Sequence, residues 1–426
     1  MKGHVVVAPD KFKGSLTAPE VAERVAAGLG DRVRAVALPV ADGGDGTVDA
    51  VVACGFTRVA AEVTGPTGER VTAAYGWRDD GDQGGPGPVA VIELAEASGL
   101  RRLSAGPAPL TATSRGTGEL IADALRRGAR RVVLGLGGSA CTDGGAGMLQ
   151  ALGARLLDDE GCELPPGGAA LRRLARVDVS GLLALVPAAR GVEFVVASDV
   201  DNPLLGPHGA AAVYGPQKGA SPDDVAILEA GLSRFARIAA EVVQPSGDAS
   251  SPGGDSAVSF AERAGAGAGE VVRPSGDRSS PGGDSAVPFA ERAGAGAAGG
   301  VGFAAMAFLG ARLRPGIAYL LELLRFDEAL DGARLVITGE GSLDAQSLHG
   351  KAPVGVAEAA ARHGVPVIAV CGRRALADDE LRAAGIRAAY ALTDLEPDPA
   401  VCIAQAGPLL ERLAARIAAA EPELRG

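Results

Sequence analysis

Short aliphatic, β-branched runs that end in loops of glycine and acid and then pass into helix-forming stretches recur along this chain. Residues 4–8 run into a polar loop carrying Asp10, Lys11 and Lys13; a helix then starts at Thr17, with Glu20 three residues on as a capping box. A second strand at 33–38 enters ADGGDGT (41–47) and another helix. Repeated strand–loop–helix units of this kind predict an α/β fold with parallel strands joined by crossover helices. Hydrophobic residues make up 47% of the chain but aromatics only 3%, so the core must be built from Val, Leu, Ile and Ala. That suits sheets covered by helices on both faces. At 426 residues the chain is long enough for two such units.

The pattern changes after the second helix. Val59, Ala61 and Val63 alternate, as do Val71, Ala73 and Tyr75, around the turn GPTG (65–68), which predicts a hairpin and entry into a second domain of mixed character. Alternation resumes with a strand at 89–94, a helix at 118–127 and a strand at 131–136. Later strands are expected at 193–197, 334–338 and 365–371. The last two flank a helix at 354–363, a βαβ unit assigned back to the first domain.

One stretch stands apart: residues 241–269 recur at 270–298 and differ at four positions, Gln244/Arg273, Ala249/Arg278, Ser259/Pro288 and Gly269/Ala298. Two copies do not make a solenoid. Their Gly, Ser, Pro and Asp content predicts a surface loop with one copy poorly ordered, tolerated because doubling a loop costs only ~0.6 kcal/mol.

Several classes of partner are disfavoured. A net charge of -11 without any Lys/Arg-rich stripe argues against nucleic acid. No apolar run reaches the ~18–20 residues of a bilayer span, and the N-terminal MKGHVVVAPD reads as a strand, not as a signal peptide. Five scattered cysteines without a Cys-x-x-Cys pair point to a reduced, cytoplasmic setting, and four dispersed histidines to no histidine-based metal centre.

Four glycine-rich, acid-bearing loops are the candidates for chemistry, because glycine lets backbone N–H groups approach an anion closely. GLGGSACTDGGAGM (135–148) follows a strand and leads into a helix; its Asp143 either lies inside an anion cradle or caps that helix. ASDVDNPLLG (197–206) carries Asp199 and Asp201 at a strand's carboxyl end, either of them suited to Mg²⁺ or to a substrate hydroxyl proton, or else to an Asx-turn. ITGEGSLD (337–344) exposes Glu340 and Asp344, with Lys351 at a following helix start. Asp10, Lys11 and Lys13 after the first strand, with Asp42 and Asp45 after the second, form the fourth; Lys218 and Arg115 lie in further glycine settings. Walker A and Gly-x-Ser-x-Gly signatures are absent, and no Gly-x-Gly-x-x-Gly spacing follows an expected strand as a dinucleotide fingerprint requires. What remains suits phosphoryl transfer, where catalysis is mainly positioning and charge neutralisation.

The ordered set of motifs closely resembles the bacterial glycerate kinase family of type I. VVVAPDKFKGSLTA (5–18), LPVADGGDGTVDAV (38–51), IELAEASGL (92–100), TATSRGTGELIADAL (111–125), GLGGSACTDGGAGMLQALG (135–153), YGPQKGA (214–220), GAGAAGGVGF (294–303) and VITGEGSLDAQSLHGKAPVGVA (336–357) occur in family order over almost the whole chain. Cys141-Thr142, Arg115 and Ser198 depart from the commoner Thr-Asn, Tyr and Cys. The second repeat copy joins directly to GAGAAGG, which marks the first as the extra one.

The resemblance implies two α/β domains: a Rossmann-like one from 1–58 and 302–426, and an inserted one from 59–301. It implies ATP, Mg²⁺ and glycerate as ligands, 2-phosphoglycerate as product, and no nucleic-acid or membrane partner; monomer and homodimer stay open. On it, Asp199, with Asp143 as rival, orients or deprotonates the attacking hydroxyl, aided by Lys13. Asp10, Lys11, Ser15, Asp42, Asp45, Arg115 and Lys218 bind substrate; Gly137, Gly138, Ser139, Gly339, Gly341 and Lys351 bind nucleotide; Glu340 and Asp344 hold the metal. A kinase of another small hydroxy acid, or a non-catalytic organic-acid-binding protein, is the alternative.

Overall fold

The structure, a computed structural model, describes residues 3–80, 87–182, 191–243, 288–348 and 350–424. Residues 244–287, which hold most of the duplication, lie outside the described residues, and with them the expectation of one poorly ordered copy.

In chain order the strands are β1 (His4–Pro9), β2 (Ala35–Ala37), β3 (Thr57–Thr64), β4 (Arg70–Asp79), β5 (Pro88–Glu93), β6 (Arg131–Gly135), β7 (Arg155–Leu157), β8 (Arg176–Asp178), β9 (Glu193–Ala197), β10 (Arg312–Arg314), β11 (Ala333–Leu343), β12 (Val367–Arg374) and β13 (Ala388–Ala391). One sheet has the order β13-β12-β11-β1-β2 and is parallel throughout. A second runs β10-β9-β6-β5-β4-β3, with β5, β6, β9 and β10 parallel and β3–β4 forming the expected hairpin. In that hairpin Val59 faces Tyr75, Ala61 faces Ala73 and Val63 faces Val71. Arg312–Arg314 hydrogen-bond to β9 although they lie past residue 302, so the chain rejoins the five-stranded sheet only at Ala333.

Strand alternation sorts the core into three layers, since successive side chains point to opposite faces. Val5 and Val7 of β1, Leu335 and Ile337 of β11, and Ile368 and Val370 of β12 meet the helices Ala18–Leu29 and Ala406–Ala420 on the outside. Val6, Ala8, Val336 and Ala369 face inward to a layer built from the helices Thr47–Ala53, Gly316–Leu323, Phe326–Leu330 and Ala352–Arg362. The same layer receives Val89 and Val91 of β5, Val133 of β6 and Val195 of β9 from the second sheet. Their neighbours Ala90, Ile92, Val132, Leu134 and Val196 turn to the far helices Arg115–Arg126, Ala146–Ala151, Pro222–Val243 and Ala297–Leu309. The two sheets thus share one helical layer, in an arrangement of helices, sheet, helices, sheet, helices.

The first helix starts as its capping box requires. The Glu20 N–H donates to Thr17 Oγ1 at 3.4 Å and the Thr17 N–H to Glu20 Oε2 at 2.8 Å, a feature worth ~1 kcal/mol. Among the described residues no helix is long and apolar enough to cross a membrane.

Candidate active site

In the five-stranded sheet the chain leaves β1 toward β2 on one side, whereas β11, β12 and β13 run out on the other. The carboxyl ends of β1 and β11 therefore flank a topological switch point, where open α/β sheets bind ligands. Asp10, Lys11, Phe12 and Lys13 follow β1 there, and Glu340, Gly341, Ser342 and Asp344 lie at the end of β11. The second sheet points its own carboxyl ends at the same place: Gly137 and Gly138 follow β6, and Ser198, Asp199 and Val200 follow β9. All of these line one cavity of about 770 Å³.

The loops meet backbone to backbone, which only glycine allows. A Cβ on Gly137 would lie 2.4 Å from the Cα of Gly44, and the Gly137 N–H donates to the carbonyl of Gly43 at 3.3 Å. Gly43 itself has φ +88°, with Ala197 O where a Cβ would go. The loop 42–46 is thereby clamped between the ends of β6 and β9, and it carries Asp42 and Asp45 into the cavity. Two residues outside the predicted set hold its other side. Glu93, fully buried at the end of β5, accepts from the N–H of Gly46 (3.0 Å) and of Val48 (3.1 Å). Arg101 bridges Asp45, Glu93 and Glu96, and Lys11 Nζ donates to the carbonyl of Asp45. Burial pushes the Glu93 carboxyl up to about 7.

Three acids at the cavity, Asp10, Asp199 and Glu340, are held above the usual carboxylate range. Burial, reinforced by Asp42, pushes Asp10 up to about 7, against the neighbouring Lys11. Burial likewise raises Asp199 to about 6; the Gly316 N–H, donating to its Oδ1 at 2.9 Å, opposes the shift and Asp42 adds to it. Glu340 is also raised by burial. Its Oε2 lies 3.7 Å from Lys351 Nζ, whereas its buried Oε1 has no hydrogen-bond partner. Carboxyl groups that ionise near neutrality in a concave site are where proton-transfer chemistry is expected.

Of the predicted residues, Asp10, Lys11, Lys13, Ser15, Asp42, Asp45, Gly137, Gly138, Asp199, Glu340, Gly341, Asp344 and Lys351 come together at the cavity. Asp201 is exposed and is not among the lining residues, which separates it from Asp199. Five others stand outside the lining. Asp143 is fully buried and accepts from Ser114 N–H (2.8 Å), Ser114 Oγ (2.9 Å), Gly145 N–H (3.1 Å) and Gly147 N–H (3.2 Å). Two of those donors, the N–H groups of Gly145 and Gly147, lie at the start of the helix Ala146–Ala151. Lys218 is buried, and its Nζ donates to Ser139 Oγ (2.9 Å) and to the carbonyl of Cys141 (2.6 Å); burial lowers its pKa. Lys218, Ser139 and Asp143 thus brace the glycine-rich loop from behind. Arg115 pairs with Glu119 one turn along its own helix, and at Gly339 a Cβ would collide with the carbonyl of Val370 on β12.

The cavity also has a side on which the sequence reading assigned no site residue. Gly372 and Arg373 at the end of β12, Leu392 and Thr393 after β13, and Pro399, Cys402 and Ile403 of the helix Pro399–Ala404 extend it outward. No glycine-acid signature marks these residues. They reach the cavity because β12 and β13 continue the sheet beyond β11. Ala297 and Ala298 line it as well, and Ala298 sits at φ +53°, a left-handed conformation that costs an alanine ~1–2 kcal/mol.

No metal cage is preformed: among the described residues no three His, Cys, Asp or Glu side chains gather as ligands. Mg²⁺ usually keeps several waters and binds through one or two carboxylates plus substrate phosphates. The unpartnered Glu340 Oε1, beside Asp344 on the cavity wall, fits that mode.

Residues 5–421 match the glycerate kinase family. The chain is 41% identical to a glycerate kinase of Bacillus subtilis (strain 168), over 97% of each chain. To a glycerate 2-kinase of Escherichia coli (strain K12) it is 42% identical, over 88% of this chain and 86% of the other. Among solved structures it is similar to the crystal structure of a Salmonella typhimurium LT2 protein assigned as glycerate kinase 2, with a TM-score of 0.75, 38% identity and 98% of each chain covered.

Proposed function

Because the chain belongs to the glycerate kinase family, we propose that its cavity transfers the γ-phosphoryl group of ATP to the 2-hydroxyl of D-glycerate, giving 2-phosphoglycerate and ADP. The protein is an enzyme, a glycerate kinase. The observation that carries the residue-level reading is the convergence of Asp10, Asp42, Asp199, Glu340 and three lysines, from the carboxyl ends of both sheets, on one cavity.

In this reading Asp199 takes the proton of the attacking hydroxyl. The new bond from that oxygen to the γ-phosphorus forms as the bond to the β–γ bridging oxygen breaks. A base that ionises at about 6 is charged at neutral pH yet still basic enough to accept a proton. The Gly316 N–H fixes the direction of its carboxylate. Lys13 and Lys11 offset negative charge on the acceptor and the transferring group, and Lys351 does so on the nucleotide side; Gly137 and Gly138, read from the sequence as nucleotide contacts, follow β6 of the second sheet and are assigned here to the acceptor side instead. Glu340 and Asp344 are the proposed carboxylates for Mg²⁺, which supplies charge neutralisation at phosphate oxygens when bound. Asp143 and Lys218 are left with positioning the glycine-rich loop. We place the acceptor between the two sheets, the nucleotide on the five-stranded one, and the reaction in the cytoplasm.

The test is a coupled assay with D-glycerate and MgATP, run through enolase and pyruvate kinase without phosphoglycerate mutase. Signal without mutase is the expected result, because only the 2-phospho product feeds enolase. Signal only on adding mutase would overturn the assignment of the 2-position, and no ADP under either condition would overturn glycerate as the acceptor.

A further inference from the structure

The cavity is larger and chemically more divided than a three-carbon acid requires. Such an acid is polar on every side, yet at the outer end Leu392, Pro399, Cys402 and Ile403 form an apolar wall. Ile403 is 55% exposed, whereas Leu392 and Cys402, which line the cavity with it, are buried. A single exposed apolar residue is ordinary on a protein surface. One that lines a cavity of about 770 Å³ beside charged groups is not, since ligand pockets combine apolar walls with a few placed polar groups.

The strand order gives this wall its place. Across the sheet β13-β12-β11-β1, the carboxyl ends present Leu392 and Thr393, then Arg373, then Glu340 with Lys351, then Asp10 to Lys13. Neighbouring strands lie ~4.8 Å apart, so three spacings from β13 to β1 span about 14 Å. That is comparable with an extended nucleoside triphosphate, and the chemistry runs in the matching sequence: apolar, cationic, acid with lysine, then the proposed acceptor end.

We propose that Leu392, Pro399, Cys402 and Ile403 form the ledge that receives the base of the nucleotide, with Arg373 beside the phosphates next to it. This rests on the kinase reading above and adds which end of the cavity the nucleotide enters. Ile403 is the residue to change, because its exposure lets a polar side chain stand there without disturbing the fold.

The experiment compares wild type, Ile403→Asp and Ile403→Leu in steady-state kinetics, and measures ATP binding by calorimetry without glycerate. Ile403→Asp should raise KM for MgATP tenfold or more and weaken ATP binding to match, leave KM for glycerate within twofold, and be matched by no such change in Ile403→Leu. An ATP affinity unchanged in Ile403→Asp, or a loss confined to glycerate, would overturn the ledge. The calorimetry keeps the two readings apart. A wild type that binds ATP without phosphorylating glycerate defeats the acceptor assignment and leaves the ledge to be judged on binding, and a wild type that does not bind ATP defeats both.

Discussion

Asp199 and Asp143 are two aspartates in glycine-bearing loops at the ends of neighbouring strands, β9 and β6, and their surroundings separate them completely. Asp143 has its oxygens committed to four N–H or hydroxyl donors within 3.2 Å, is fully buried and is not among the cavity-lining residues. Asp199 lines the cavity, and its ionisation is pushed up to about 6 chiefly by burial. Replacing Asp199 with Asn keeps size and the acceptor for the Gly316 N–H but removes the base. Turnover should fall by ~10²–10⁴, the span assigned to general acid–base groups, with an unchanged melting temperature. Near-normal turnover would take Asp199 out of the mechanism. The pH dependence has a definite sign. The base works ionised, so kcat/KM of the wild type should rise with pH through about 6, and this limb should weaken or vanish in Asp199→Asn.

At the scale of elements, what was legible depended on whether local sequence or tertiary pairing decides the conformation. β1, β5, β6 and the hairpin β3–β4 are readable because β-branched residues and strict alternation mark them without reference to neighbours. β10, Arg-Leu-Arg, and β13, Ala-Ala-Tyr-Ala, are strands only because β9 and β12 offer them an edge, so no pattern announced them. The alanine-rich helix Ala406–Ala420 likewise drew no attention, since its apolar stripe is made of small residues. The loops that carry the site were legible by composition, but which way Asp143, Lys218 and Arg115 point was not, because residue type does not encode burial. Glu93 belongs to the same class: within a matching motif it reads as one acid among several, yet it is the acceptor that holds the loop 42–46 onto the second sheet. Glu93→Ala strands two N–H donors and should cost about 1–3 kcal/mol, read as a lower melting temperature. Because that loop carries Asp42 and Asp45, KM for glycerate should rise as well. A variant as stable as wild type, with KM for glycerate unchanged, would show that the latch does not matter.

Over the whole molecule, the shared helical layer makes the two sheets a single packed body around the cavity, and it is against this body that the duplication must be judged. The second copy ends in a segment that fits: Leu204 N–H donates to the carbonyl of Ala290, Gly296 N–H to that of Asn202, and Ala297 and Ala298 reach the cavity wall. Immediately after it come Gly299 and Gly300, both at positive φ. A Cβ on Gly299 would lie 2.2 Å from the carbonyl of Cys141, and one on Gly300 would lie 2.8 Å from Gly144. The first copy, ending at Gly269, is followed instead by Glu270 and Val271, whose side chains that packing cannot admit. Only the second copy can therefore carry the chain into the helix Ala297–Leu309. At the other junction the copies are interchangeable, because Glu241-Val242-Val243 and Glu270-Val271-Val272 are the same tripeptide. Deleting residues 241–269 joins Ala240 to Glu270 and restores every described contact, with Arg273 standing where Gln244 did. The shortened enzyme should keep kcat and both KM values within about twofold, and its melting temperature should not fall, since a shorter connection between Val243 and Pro288 costs less entropy to close. A tenfold loss of turnover in a variant that melts normally would mean that the first copy takes part in the reaction, against the sterics at Gly299 and Gly300.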